Sequence, residues 1–328
     1  MKHINVSLFV PHLGCPNDCI FCNQRIISGK TKPLEINDII TAAEIAKKGY
    51  YDIKNSEIAF FGGSFTAIKR EEMISFLEAA RPYVGTYFGG IRISTRPDCI
   101  NREVLEILRD YGVTAIELGA QSMCDDVLIK NERGHTAEDT VNACRLIKEY
   151  GFSLGLQMMT GLYGSDDERD IYTALRFTEL RPDTVRIYPT VVLENTVLST
   201  LYEKGEYTPQ RTEDAVRLCA ELLMIFHKND IKVIRLGLHS GSDVEDGFIA
   251  GVYHPAFREL CEGEIYKKLT EEKLSSLPDG NYTLAVNPSE ISKAVGHKRS
   301  NTEYFRQKGW NIRITGDPTL SRYNVLLI

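Results

Sequence analysis

Residues 56–83, SEIAFFGGSFTAIKREEMISFLEAARPY, contain one strand and one helix joined by a glycine turn. The short apolar run at 58–61 is typical of a buried strand, whereas the apolar residues between 73 and 80 recur at helical spacing. The same order, strand then helix, occurs five times before residue 183. Strands that alternate with helices of this length lie parallel and are joined by right-handed crossovers. The repeat therefore predicts an α/β fold whose functional residues collect at the carboxyl ends of the strands.

The number of repeats predicts six strands, which suits an open or closed βα barrel, with a doubly wound sheet as the alternative. After about residue 190 the regular repeat of strand and helix ends. From residue 278 the sequence predicts short strands and short helices. We therefore predict a partial (βα)6 TIM-like barrel over 1–240 and a C-terminal α+β extension, or cap, over 241–328. The predicted barrel strands cover 4–10, 56–63, 90–97, 113–122, 152–161 and 183–192.

The composition is that of a chain with a large hydrophobic core. Of its 328 residues, 43% are hydrophobic and 26% are charged, and the formal net charge is -6. The amino terminus does not resemble a signal peptide, and no apolar run is long enough to span a bilayer. We expect a soluble, cytoplasmic protein without a membrane partner. The acidic balance also argues against a surface that binds nucleic acid throughout.

Three of the eight cysteines stand close together, in the stretch HLGCPNDCIFCNQ at 12–24. The other five are scattered singly, as free cysteines in protein cores usually are. In a reducing compartment a compact trio is typical of metal binding. Cys15, Cys19 and Cys22 could hold three irons of a 4Fe-4S cluster and leave the fourth iron open. Two alternatives stay open, a zinc site completed by His12 and a chance cluster of thiols.

The spacing CxxxCxxC, with an aromatic residue before the third cysteine, resembles the cluster motif of the radical S-adenosylmethionine (radical SAM) enzymes. The resemblance implies that Cys15, Cys19 and Cys22 ligate a 4Fe-4S cluster whose open iron chelates the methionyl group of SAM. It also implies that Phe21 packs near the adenine, although an aromatic side chain more often fills a core.

Other motifs at predicted strand ends strengthen the resemblance. FFGGSFT resembles the glycine-rich motif where the backbone approaches the SAM amino group. ISTRPD (93–98) and ELGAQSMCDDVLIKNERGHT (117–136) resemble the radical SAM domain of the Elongator catalytic subunit and, more distantly, the oxygen-independent coproporphyrinogen oxidases. The resemblance implies cofactor contacts from Gly62, Gly63, Ser64, Thr95, Gln121, Arg133, which would face the SAM carboxylate, and Gln157, which would lie near the ribose hydroxyls.

Two of the positions at the predicted barrel mouth, Gln157 and Tyr188, could equally be plain strand residues. Tyr188 is a candidate catalytic residue, and so is His254 in GVYHPAF, as a proton donor. A turn histidine bonded to backbone is the simpler interpretation of His254. We expect no counterpart of the acetyltransferase domain of Elongator, because 328 residues leave no room for one beside the predicted domains. We therefore do not carry over the acetyl-CoA and wobble-uridine chemistry.

The resemblance implies that a flavodoxin or ferredoxin reduces the cluster, which cleaves SAM to a 5'-deoxyadenosyl radical that abstracts a hydrogen atom. The substrate stays open between a tRNA and a small, tetrapyrrole-like molecule, and a zinc-binding protein without activity is a third hypothesis. A basic stretch near the carboxyl terminus could contact RNA phosphates or simply be a solvated face. Its cations are Lys293, Lys298, Arg299, Arg306, Lys308 and Arg313.

Overall fold

The computed structural model describes residues 4–10, 15, 19–28, 32–49, 52–238 and 245–328. Its centre is a curled sheet of seven parallel strands, in the order β1–β2–β3–β4–β5–β6–β8, which forms a partial barrel. The strands are β1 (Asn5–Val10), β2 (Glu57–Gly62), β3 (Gly90–Thr95), β4 (Val113–Gln121), β5 (Ser153–Thr160), β6 (Thr184–Pro189), β7 (Val191–Leu193), β8 (Lys232–Leu236), β9 (Phe248–Gly251), β10 (Gly280–Val286), β11 (Trp310–Gly316) and β12 (Leu326–Leu327).

Helices connect the strands and cover the outer face of the sheet, as right-handed crossovers require. The described helices are α1 (Gln24–Ser28), α2 (Ile36–Ala46), α3 (Arg70–Ala80), α4 (Arg102–Asp110), α5 (Asp125–Lys130), α6 (Ala137–Glu149), α7 (Asp167–Leu180), α8 (Val197–Glu203), α9 (Thr212–Lys228), α10 (Phe257–Leu274), α11 (Ile291–Val295) and α12 (Ser300–Gln307).

The two faces of each barrel strand carry different residues, because successive side chains point to opposite faces. In β3, Ile91 and Ile93 are fully buried in the hydrophobic core. Arg92 stands between them and forms ion pairs with Glu57 on β2 and Glu117 on β4. The sequence thus puts an apolar layer under the helices and a polar layer inside the barrel.

The predicted α/β class, the partial barrel and the C-terminal α+β extension are confirmed. The barrel has seven strands rather than six, because β8, which is not among the six predicted barrel strands, pairs in parallel with β6. Helix α9 is long enough to serve as the crossover between them. The predicted strand over 183–192 divides into β6 and β7, and β7 leaves the sheet to pair with β9.

The C-terminal extension contains a three-stranded sheet in the order β11–β10–β12. Its longest element, α10, is not predicted from the sequence and packs against α9 of the barrel. The predicted domain boundary between 240 and 241 lies outside the described residues and stays a prediction. Within the described part of the chain, no helix combines the length and apolarity that crossing a bilayer requires.

Candidate functional site

A cavity of about 410 Å³ opens at the carboxyl ends of the barrel strands. This is the edge where parallel sheets of this kind carry their sites. The cavity collects residues from every barrel strand and from the cysteine loop. The predicted site residues that line it are Cys15, Cys19, Phe21, Cys22, Gly62, Gly63, Ser64, Thr95, Gln121, Arg133, Gln157 and Tyr188. A larger, more open depression of about 810 Å³, lined by 161–168 and by residues between 206 and 210, contains none of them.

Two of the cysteine thiols accept hydrogen bonds, one from a distant residue and one from a near neighbour in the chain. Arg133 Nη1 donates to Cys19 Sγ at 2.9 Å, and Gln24 Nε2 donates to Cys22 Sγ at 3.5 Å. Burial raises the pKa of the Cys22 thiol to about 12, and the neighbouring cysteines add to the shift. Burial also raises the pKa of Cys15, against a backbone hydrogen bond from Ser64. Thiols in this setting ionise readily only when a cation compensates the charge.

The glycine motif after β2 brings backbone and hydroxyl groups to the same loop. Gly62 has φ +102°, a conformation that other residues rarely adopt, and its carbonyl accepts from Gln24 Nε2 at 3.3 Å. Ser64 Oγ lies 2.9 Å from Thr95 Oγ1 and accepts the Arg96 N–H at 3.2 Å. These bonds fix the ends of β2 and β3 to each other beneath the cysteines.

The end of β4 is strained at Gln121. This residue has φ +65° and follows a register shift in the pairing with β5. Its buried Oε1 finds no hydrogen-bond partner among the described residues. Arg133 Nη2 donates to Gly119 O at 2.5 Å, and His135 Nε2 lies 3.2 Å from Ala120 O. Strain and an unsatisfied amide oxygen at a cavity wall are typical of a ligand site.

The floor of the cavity is a buried ionic network around Glu117, which is 1% exposed. Arg186 Nη2 donates to Glu117 Oε1 at 2.8 Å, and Arg186 Nε lies 2.7 Å from Oε2. Gln157 Nε2 donates to Glu117 Oε2 at 3.2 Å. Burial lowers the pKa of Arg186, but Glu117 and Tyr188 more than offset this, so the pKa is raised. The network holds the Gln157 amide in one orientation.

Phe21 lines the cavity and also packs against a small buried cluster that includes Ile20 and Val192. His254 is not among the residues that line the cavity. Its Nδ1 accepts the Ala256 N–H at 3.1 Å, as in the turn interpretation, and its ring contacts His297.

Among the described residues, no group of three or more His, Cys, Asp or Glu side chains is arranged to hold a single metal ion. His12, the fourth ligand of the zinc alternative, lies outside the described residues.

Sequence reasoning missed three charged residues of the cavity, namely Glu117, Arg186 and Arg235. Each stands between two apolar neighbours in its strand, namely Ile116 and Leu118, Val185 and Ile187, and Ile234 and Leu236. A charged residue between apolar neighbours in a parallel strand could have signalled a polar barrel interior, since such strands are usually apolar throughout. The sequence does not, however, tell which charges meet.

Part of this chain is similar in sequence to known proteins. A tRNA uridine(34) acetyltransferase from Methanocaldococcus jannaschii is 37% identical over 140 residues, which cover 42% of this chain and 26% of that protein. Elongator complex protein 3 from Mus musculus is 37% identical over 140 residues, covering 42% of this chain and 25% of that protein. The chain therefore matches about a quarter of the length of these two relatives.

The fold is also that of a solved structure, "The archaeal Methanocaldococcus infernus Elp3 with N-terminus deletion (1-46)". The TM-score is 0.64 at 23% identity, and the match covers 84% of this chain and 64% of that one. Residues 182–267 match the model of the Radical_SAM C-terminal domain. Residues 9–176, which carry the cysteine loop and the strand ends as far as Gln157, match the model of the radical SAM superfamily, and the chain belongs to that family.

Proposed function

We propose that this chain is a radical SAM enzyme in which Cys15, Cys19 and Cys22 ligate a 4Fe-4S cluster. The observation that carries the proposal is that the three cysteines share one cavity with Gln121 and Arg133, at the carboxyl edge of the sheet. When bound, the cluster and SAM supply a one-electron cleavage that gives methionine and a 5'-deoxyadenosyl radical for hydrogen abstraction. A flavodoxin or ferredoxin is the proposed electron donor.

The residues around the cysteines fit such a group. Thiolates are the usual ligands of iron–sulfur clusters, and the Arg133 guanidinium at Cys19 stabilises a thiolate. A guanidinium fork matches a carboxylate in bidentate geometry, so Arg133 is suited to bind the SAM carboxylate. The buried Oε1 of Gln121 offers an acceptor for a donor group of the cofactor.

The floor network gives Gln157 a defined role in the proposal. Its Nε2 donates to the Glu117 carboxylate, so its Oε1 is the atom left to accept a hydrogen bond. A ribose hydroxyl is a suitable donor. Phe21 offers an apolar surface for the adenine, and the surrounding barrel wall limits access of water to the reacting groups.

We propose a tRNA as the substrate and the cytoplasm as the location, in line with the similarity to the tRNA uridine(34) acetyltransferase from Methanocaldococcus jannaschii. The basic stretch of the extension supports RNA contact only in part. Lys293, Arg306 and Lys308 form ion pairs with acidic residues. Lys298 and Arg299 are exposed, and both adopt positive φ, at 50° and 68°. Such strain is often retained where it presents side chains to a ligand.

The RNA proposal is tested by mobility shift of a tRNA at increasing salt. We expect the affinity to fall as salt rises, because binding releases counterions from the phosphates. The double variant Lys298→Gln/Arg299→Gln should bind about tenfold more weakly at low salt. Arg306→Gln is the control, because its cation is already paired with Glu303. Binding that is absent, or equal in the double variant and wild type, would remove the RNA interface proposed here.

A small-molecule substrate is the second candidate, and the cavity itself favours it. Its volume of about 410 Å³ lies within the usual range for small ligands, and polar groups stand among apolar ones. Under this alternative, a tRNA neither binds nor stimulates SAM cleavage. A zinc-binding protein is the third candidate, and it requires zinc without iron after anaerobic reconstitution.

A further inference from the structure

Each of the three thiols of the cysteine loop accepts a hydrogen bond from another residue. The bonds run from Arg133 Nη1 to Cys19, from the Ser64 backbone N–H to Cys15 and from Gln24 Nε2 to Cys22. Arg133 already has a role in the proposed function, and the donor of Ser64 belongs to the backbone. The side chain of Gln24 therefore still has to be given a role at the thiols.

Gln24 links the third cysteine to the end of β2. It is the first residue of α1, and its side chain lines the cavity. Nε2 lies 3.5 Å from Cys22 Sγ and 3.3 Å from Gly62 O. A side-chain amide nitrogen carries two N–H donors, so one nitrogen can serve both acceptors. The longer distance suits sulfur, because a sulfur atom is larger than an oxygen atom.

The backbone that carries Gln24 is anchored by its neighbour. Asn23 Nδ2 donates to Glu194 O at 3.0 Å, which joins this segment to the chain that follows β7. Asn23 Oδ1 accepts the Ile26 N–H at 3.3 Å, within the first turn of α1. These two bonds limit the movement of the backbone, so the Gln24 amide stays beside the thiol.

A hydrogen bond to a cluster thiolate affects how easily the cluster is reduced. Reduction adds one negative charge, which the cluster shares with its sulfur ligands. A donor beside a sulfur interacts more favourably with the more negative state, as Coulomb's law requires. Hydrogen bonds to the sulfurs are accordingly among the factors that set the reduction potentials of iron–sulfur clusters. Removal of such a donor therefore lowers the potential.

We propose that Gln24 is a positioning residue that acts through Cys22 and raises the reduction potential of the cluster. The inference rests on the proposed function, because it assigns Gln24 to the cluster that the cysteines would hold. Without this N–H donor, a ferredoxin or flavodoxin would reduce the cluster less completely. Gln24 thus brings the potential of the cluster closer to that of its electron donor.

A redox titration of reconstituted wild type and Gln24→Leu tests this without SAM, with the EPR signal of the reduced cluster as the readout. We expect a lower midpoint potential in Gln24→Leu. The loss of one hydrogen bond should change the ratio of reduced to oxidised cluster by about tenfold, which is about 59 mV for one electron. Gln307→Leu, the same exchange at an exposed position of α12, should keep the wild-type potential.

Gln24→Glu is the second variant. It keeps the shape of the side chain but, when ionised, has no donor and adds a negative charge. At mildly alkaline pH its potential should therefore lie at least as low as that of Gln24→Leu. If Gln24→Leu assembles no cluster, Gln24→Glu carries the test.

The midpoint potential separates this role from a merely structural one, because it is a property of the clusters that have assembled. A structural role alone would reduce the iron content of the variants and leave the potential of the remaining clusters unchanged. That result overturns the proposal, as does a potential that rises in either variant.

Formation of 5'-deoxyadenosine by reduced, SAM-loaded wild type separates the two proposals. Cleavage of SAM, with equal potentials in wild type and both variants, removes the role of Gln24 and leaves the proposed function standing. A potential that depends on Gln24, without cleavage of SAM, removes the proposed function and leaves the effect of Gln24 on the cluster standing.

Discussion

Glu117 organises the interior of the barrel at the scale of single residues. One carboxylate receives groups from three other strands, because Arg92, Gln157 and Arg186 all contact it. Leaving a buried carboxylate without partners costs on the order of several kcal/mol. Glu117 orients the Gln157 amide and the Arg186 guanidinium at the cavity floor, because both donate hydrogen bonds to its carboxylate.

His135 should make the folded protein less stable in mild acid. Burial, together with the charge of Arg133, lowers the pKa of His135 to about 4. Its buried Nδ1 finds no acceptor among the described residues. The unfolded chain binds a proton near pH 6.5, whereas the folded chain does not until about pH 4. The free energy of unfolding therefore falls as the pH drops between these values, by at most about 3 kcal/mol.

Urea denaturation at neutral and mildly acidic pH measures this loss. His135→Gln is the matched variant, because its amide can still donate to Ala120 O but does not titrate. We expect wild type to lose more stability on acidification than His135→Gln does. The same loss in both proteins would contradict the assignment.

Among the secondary-structure elements, α6 has the clearest link to the site, because it begins directly after Arg133 and His135. Its first turn is closed by a capping box. Thr136 Oγ1 accepts the Asp139 N–H at 3.1 Å, and Asp139 Oδ2 accepts the Thr136 N–H at 2.8 Å. The cap fixes where the helix starts and hence where the preceding loop ends.

Loss of this cap should destabilise the protein measurably. Thr136→Ala removes the side-chain acceptor and should lower the free energy of unfolding by about 1 kcal/mol. Thr136→Ser keeps the hydroxyl and should stay close to wild type. Urea denaturation of the three proteins checks this, and equal stabilities for Thr136→Ala and Thr136→Ser would show that the capping bond contributes nothing.

The sequence predicts a helix or strand where the apolar residues of that segment alone recur at helical or strand spacing. β2 and α3 follow from their own periodicity, as does the order of strand and helix up to β6. The position of β8 does not, because a single apolar run does not reveal which strand it pairs with. α10 escapes prediction for a related reason, since its buried residues include Glu262 and Thr270 as well as apolar ones, so no clean stripe marks it.

At the scale of the whole molecule, the sheet brings together residues that are far apart in the chain. Arg133 and Cys19 are 114 positions apart and share a hydrogen bond. The resemblance to radical SAM motifs predicted both of them as site residues, and both line the same cavity. The bond between Glu117 and Arg186 was not predictable, because it depends on the order of β4, β5 and β6 and on their register.

The central claim is that the cysteine loop supports reductive cleavage of SAM, and its most direct test is the formation of 5'-deoxyadenosine. Wild type, Cys19→Ala and Cys124→Ala would be reconstituted anaerobically with iron and sulfide, reduced, and given SAM. Cys124 does not line the cavity, so it controls for loss of a thiol elsewhere. We predict 5'-deoxyadenosine from wild type and Cys124→Ala and none above background from Cys19→Ala. No product from wild type, or equal product from Cys19→Ala, would contradict the claim.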